Sequence, residues 1–184
     1  MKLHRLLLAV FAALLLLGSS TLSKQHQSKP KKSHEAEAKN VSAHLIGFNE
    51  VPANVTPASG DFSATIDETA QTIAFTLTFS GLEGTTTASH IHVGQPDVAG
   101  GVSAFLCGGG SKPACPASGT VTGTIVASDV IGPVPQGIDP GQFDKLVQAI
   151  EAGKAYVNVH SSRFPGGEIR GQIKPGEGED NNDQ

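Results

Sequence analysis

The sequence lacks any apolar run long enough to cross a membrane. Its longest, residues 6–17, offers roughly a dozen apolar residues where a spanning helix needs about 20. Lys2, His4 and Arg5 precede that run and Gly18-Ser19-Ser20 follows it, the pattern of an export signal with small residues near the cleavage site. Residues 1–20 are therefore expected to be a signal peptide, leaving a secreted or periplasmic chain with no membrane span. No Cys follows the run, which sets a bacterial lipoprotein aside.

Positive charge is scarce too. The whole chain carries 13 Lys and Arg against 17 Asp and Glu. Between residues 41 and 174 the cations are Lys112, Lys145, Lys154, Arg163, Arg170 and Lys174, outnumbered by acids. Nucleic acid as a partner needs a basic footprint, and none is present. A Gly-rich phosphate loop, a paired-Cys zinc motif and a Gly-x-Ser-x-Gly elbow are also missing.

Cysteine is limited to Cys107 and Cys115, which flank a Gly-rich stretch. In an exported chain the simplest reading is a disulfide closing that loop; a pair of thiolate metal ligands is the other. Residues 21–40 are rich in Lys, Ser, Gln, His and Glu, with no periodic apolar residues to bury, and read as a disordered linker. His26 and His34 lie there without a scaffold to converge them. Residues 175–184 read as a mobile acidic tail, so one domain is expected over 41–174.

What the domain does have is alternation. Ile73, Phe75, Leu77 and Phe79 alternate with Thr72, Ala74, Thr76 and Thr78, a half-buried strand ended by Ser80-Gly81. Further strands are expected at 42–48, 60–66, 89–93, 102–107, 119–126, 155–160 and 168–173. About eight short strands separated by Gly and Pro indicate an all-β fold, an antiparallel sandwich or Greek-key barrel. One short helix is expected near 140–152. Asp139 would cap it, Phe143, Leu146, Val147 and Ile150 would form its apolar stripe, and Gly153 would end it.

Histidine supplies the chemistry. Side chains alternate along a strand, so His90 and His92 share one face while Ile91 and Val93 share the other. In the same way Tyr156, Asn158 and His160 face away from Ala155, Val157 and Val159. If these strands are neighbours, three imidazoles gather on one polar face, and neutral imidazole suits copper or zinc. His44 shares its face with Ile46 and Phe48 and is expected to be packed or at an edge. Asn40 and Asn54 each begin a glycosylation sequon, relevant only in a eukaryotic secretory route.

Residues 164–167 read as a turn joining the last two strands. With Val159 facing Ile169, His160 would lie beside Glu168, Asn158 opposite Arg170 and Tyr156 opposite Gln172. Glu168 is then expected to orient the His160 ring, with Asn158, Tyr156 and Arg170 around it. A slip of one residue would send Glu168 to the other face.

The blocks Leu45-Ile46-Gly47-Phe48-Asn49-Glu50-Val51-Pro52, Ala88 to Gly94, Ala155 to His160 and Phe164 to Ile173 resemble the signature blocks of the chordin (CHRD) domain family. The resemblance implies an extracellular β-rich domain of undefined biochemical function. In chordin itself the growth factor is bound by cysteine-rich modules that have no counterpart here, so that activity is not carried over. Three readings follow. The first is a non-catalytic extracellular binding module whose partner is a protein or a metal ion. The second is a copper- or zinc-binding protein with a sandwich like that of Cu/Zn superoxide dismutase. The third is a hydrolase using Glu168 as base with a metal-bound water.

Overall fold

The computed structural model describes residues 38–176. The expected signal peptide, the linker as far as residue 37 and the tail beyond 176 lie outside those residues. Among the described residues no helix is long and apolar enough to cross a membrane.

Nine strands form one antiparallel sheet: β1 (Lys39–Ile46), β2 (Ser59–Asp67), β3 (Thr72–Ser80), β4 (Thr86–Val93), β5 (Gly101–Cys107), β6 (Gly119–Val126), β7 (Ala155–Ser161), β8 (Ile169–Gln172) and β9 (Lys174–Pro175). Their order is β5-β4-β7-β8-β1-β2-β3-β6, with β9 paired to β1. The terminal strands β5 and β6 come into contact without a shared ladder, so the sheet curls into a nearly closed barrel. Its all-β, mostly antiparallel character is the one expected from the alternation.

The interior is filled as the period-two pattern requires. Ile73, Phe75, Leu77 and Phe79 of β3 pack with Phe62 and Ile66 of β2, Leu45 of β1, Val157 and Val159 of β7 and Ile169. The helix α1 (Phe143–Glu151) adds Phe143, Leu146, Val147 and Ile150 to this core. It begins later than Asp139 would allow: its cap position is Gln142, without a capping side chain, and Gln142 Oε1 instead accepts from the Asp139 N–H. Gly153 ends the helix as expected, in the left-handed conformation that glycine adopts freely.

Four boundaries or faces differ from expectation. Lys39 and Asn40, assigned to the linker, begin β1, and Pro175 and Gly176, assigned to the tail, are held to β1, Gly176 N–H by the Asn40 carbonyl. Strand pairing supplies the ordering that composition alone did not promise. His44 points outward, its Nδ1 2.8 Å from Asp61 Oδ1, because Ala43 and Leu45 take the inward positions of β1. Phe48 has left the strand for a short 3-10 turn, and 66% of it is exposed.

Cys107 and Cys115 form a disulfide. Closing so short a loop contributes about 2 to 3 kcal/mol by the chain-entropy account. Dithiothreitol alone is therefore expected to lower the melting temperature and leave the fold standing, because the core is built from strands outside that loop. Complete loss of the β-type circular dichroism signal on reduction would contradict this.

Candidate metal centre

β4 and β7 are direct neighbours, and that places the three imidazoles together. His90 lies opposite Asn158, His92 opposite Tyr156 and Ala88 opposite His160, so His90 and His160 are diagonal partners on one face. The small side chain of Ala88 leaves room for the rings to meet. Against β5 the register of β4 shifts twice, between Ser89 and His90 and between Ile91 and His92. Bulges of this kind re-aim side chains beside functional sites. One ring nitrogen from each of His90, His92 and His160 lies within 4.8 Å of the others.

The expected register of the last hairpin is the observed one, with Val159 opposite Ile169, Asn158 opposite Arg170 and Tyr156 opposite Gln172. The face is nevertheless not open to water. Every residue of β7 is buried. Loop 94–100 folds over it, with Arg170 Nη2 donating to the Gln95 carbonyl and the Gly100 N–H to the Tyr156 hydroxyl. Gly100 permits that closure, since a Cβ there would sit 1.8 Å from the Val93 carbonyl oxygen. Across the other edge the Asn54 amide donates to the Gly167 carbonyl. The Asn54 sequon is thereby committed to packing, while Asn40 is exposed on β1.

Glu168 departs from expectation. Its carboxylate accepts from Thr56 Oγ1, the Glu83 N–H and Ser161 Oγ, on the opposite side of the sheet from His160. Preceding the first residue of β8, it is not bound to the alternation that would have put it beside the imidazoles. It neither orients His160 nor can serve as a base there. The orienting acceptor is the Pro165 carbonyl, 2.9 Å from His160 Nδ1.

Backbone carbonyls determine the tautomers. His160 Nδ1 and His92 Nδ1 face the carbonyls of Pro165 and Gly100, and a carbonyl only accepts, so in the neutral rings both Nδ1 atoms carry hydrogen and both Nε2 atoms are lone pairs. Metal-binding histidines are commonly held this way. His92 Nε2 is buried with no hydrogen-bond partner among the described residues. His90 Nδ1 stands 3.0 Å from His160 Nε2, so in the ion-free protein it must be the donor of that pair.

Burial keeps the rings neutral. It pushes His90 down to about 3, helped by the neighbouring His160 and His92 rings. Burial likewise takes His92 to about 4 against the opposing bond to Gly100, and lowers His160. Ligand-ready imidazoles therefore need no proton removed at neutral pH.

Three further side chains complete the surroundings. Tyr156 stacks on His92 at 4.8 Å and 8°, and the Arg170 guanidinium lies 3.4 Å above the Tyr156 ring. Phe105 meets His90 edge-on at 4.5 Å. The disulfide loop packs behind it, since a Cβ at Gly109 would lie 2.2 Å from the Phe105 ring.

Sequence reasoning missed Glu50. Its carboxyl is buried against Asn158 and Gly167, and desolvation pushes its pKa up to about 7 in spite of the nearby Arg170 charge. Glu50 belongs to one of the blocks that carried the family resemblance, but it lies on a loop, where no periodicity assigns a face.

The family model that matches the chain is that of the CHRD domain, over residues 41–173. A comparison with curated proteins found no match, and neither did one with solved structures.

Proposed function

The chain belongs to the CHRD-domain family, and from that premise we propose that it is a secreted, non-catalytic binding module whose covered three-histidine pocket takes up one copper or zinc ion. Residues 1–20 act as the signal peptide, 21–38 as the linker and the stretch beyond 176 as the acidic tail. The disulfide supports an oxidising compartment for the mature domain.

The observation that carries the metal reading is the convergence of acceptors. Two Nε2 lone pairs whose hydrogens are committed elsewhere point into one buried space, and one of them has no partner. A buried polar atom without a partner costs about 1 to 3 kcal/mol, which a cation between the rings would relieve. The dimensions fit. At a metal-nitrogen bond of about 2.0 to 2.1 Å, tetrahedral ligand atoms lie about 3.3 to 3.4 Å apart. The observed set spans 3.0 Å to at most 4.8 Å, so closure needs movements on the order of 1 Å.

Untagged protein stripped with chelator and then exposed to zinc or copper should retain one ion per chain after desalting. At an ion concentration 1,000-fold above Kd the gain is about 4 kcal/mol, roughly 8 to 16 °C in melting temperature for a chain of this size. Absence of a stoichiometric ion, together with a melting temperature indifferent to both metals, refutes the reading.

A further inference from the structure

Resting on the three-histidine reading, we propose that the side-chain oxygen of Asn158 is the fourth ligand, making the site a closed set of three nitrogens and one oxygen with Glu50 as the residue that aims it. Asn158 is 2% exposed and lies at the centre of β7, opposite His90 and two residues before His160. Its Oδ1 stands 3.0 Å from His160 Nε2. Both are acceptors once His160 carries its hydrogen on Nδ1, so their approach is unfavourable unless a hydrogen or a cation lies between them. On β4 its partner His90 is two residues from His92, whose buried Nε2 has no hydrogen-bond partner among the described residues. Asn158 Oδ1 thus adjoins the His160 Nε2 lone pair and lies on the same covered face as His92.

The orientation of the amide is dictated from behind. A Cβ at Gly167 would lie 2.4 Å from Glu50 Oε1 and 2.8 Å from Asn158 Nδ2, so carboxyl and amide nitrogen crowd the same point, which only a glycine leaves free. With its nitrogen turned toward a carboxyl oxygen, the amide must present its oxygen to the imidazoles. Glu50 is therefore a positioning residue, not a ligand.

The chemical consequence concerns the class of ion and what can be done with it. An amide oxygen is a hard donor, and among the described residues no thiolate or thioether joins the site, which favours divalent zinc or copper over cuprous ion. Four protein ligands leave no open position for a substrate, as in structural rather than catalytic sites.

Cobalt substitution tests this in the full chain, because four-coordinate cobalt absorbs visibly and reports its ligand set. Asn158→Leu should weaken zinc binding by about 10- to 100-fold and move the cobalt bands. Glu50→Gln should bind like the parent, since it keeps the shape of the side chain and a side-chain oxygen beside the Asn158 amide. Glu50→Leu, which frees the amide to turn, should weaken binding and shift the bands as Asn158→Leu does. Zinc affinity within twofold of the parent and unchanged bands in Asn158→Leu would overturn the assignment. Should that variant fail to fold, Asn158→Asp decides: tighter binding with shifted bands supports a ligand at this position, and unaltered affinity and bands refute it. If the parent itself takes up neither cobalt nor zinc, the three-histidine reading has failed instead, and the two failures are distinguishable.

Discussion

Glu168→Ala is expected to remove about 3 to 5 kcal/mol of stability, since three hydrogen-bond donors lose their shared acceptor at about 1 to 3 kcal/mol for each that is left unsatisfied, and the site is a fully buried one. The carboxylate has no exposed surface and joins three segments: Thr56 from the loop after β1, Glu83 from the connection between β3 and β4, and Ser161 at the end of β7. Alanine would leave the part-buried Glu83 N–H and Thr56 hydroxyl and the buried Ser161 hydroxyl without this acceptor, beside a cavity. Glu168→Gln should lose much less, because the Thr56 and Ser161 hydroxyls can turn to accept from the new amide. Urea denaturation of both variants gives the comparison. A loss under 1 kcal/mol in Glu168→Ala would show that these segments hold together without the carboxylate. Metal affinity should change little in either folded variant, which separates this structural role from the hydrolase base that the sequence had allowed.

Acid is expected to destabilise the chelator-treated protein steeply between pH 6.5 and 4.5. His90, His92 and His160 all titrate below the ordinary histidine value of 6.5 when folded, the first two near 3 and 4. The unfolded chain takes up protons as pH falls below 6.5 while the folded chain refuses them. The stability these residues contribute is whole above 6.5 and is lost on acidification. Glu50 acts in the opposite sense. Its folded pKa, raised to about 7, lets it keep a proton that the unfolded chain releases above 4.5, so its contribution is present at low pH and fades as pH rises from 4.5 to 7. His90 and His92 against one carboxyl leave a net uptake of about one proton on unfolding, to which the lowered His160 adds in the same sense. At about 1.4 kcal/mol per proton and pH unit, the slope is at least about 1 kcal/mol per pH unit. Urea midpoints at pH 7.5, 6 and 5 measure it. A flat response would mean that the three rings are not buried as neutral groups.

The fold was legible wherever alternation was strong. The run from Thr72 to Phe79 is a strand with its apolar face inward, and the pairing of Asn158 with Arg170 follows once Val159 and Ile169 share the core. His90 and His92 on one face, and His160 on the matching face of a second strand, were equally open to reading. The burial of that face was not. Period two says which side chains travel together, and on β7 both sets are covered, one by the core and the other by loops 94–100 and 164–167. Loops have no period, so neither the Pro165 and Gly100 carbonyls that set the tautomers nor Glu50 behind Asn158 could be placed beforehand. Glu168 failed for a related reason, since the residue just outside a strand is free of its pleat.

By itself the sequence determined an antiparallel β domain, its family and the three imidazoles on matching strand faces, because these follow from side-chain alternation and short contiguous blocks, and it made a disulfide the simplest reading of its two cysteines. Only the tertiary structure decided that β4 and β7 are neighbours, that the shared face is sealed from water, and which atoms point into it. Those outcomes depend on contacts between residues some 70 positions apart, such as His90 with His160, and on loop backbone groups whose directions no local pattern encodes.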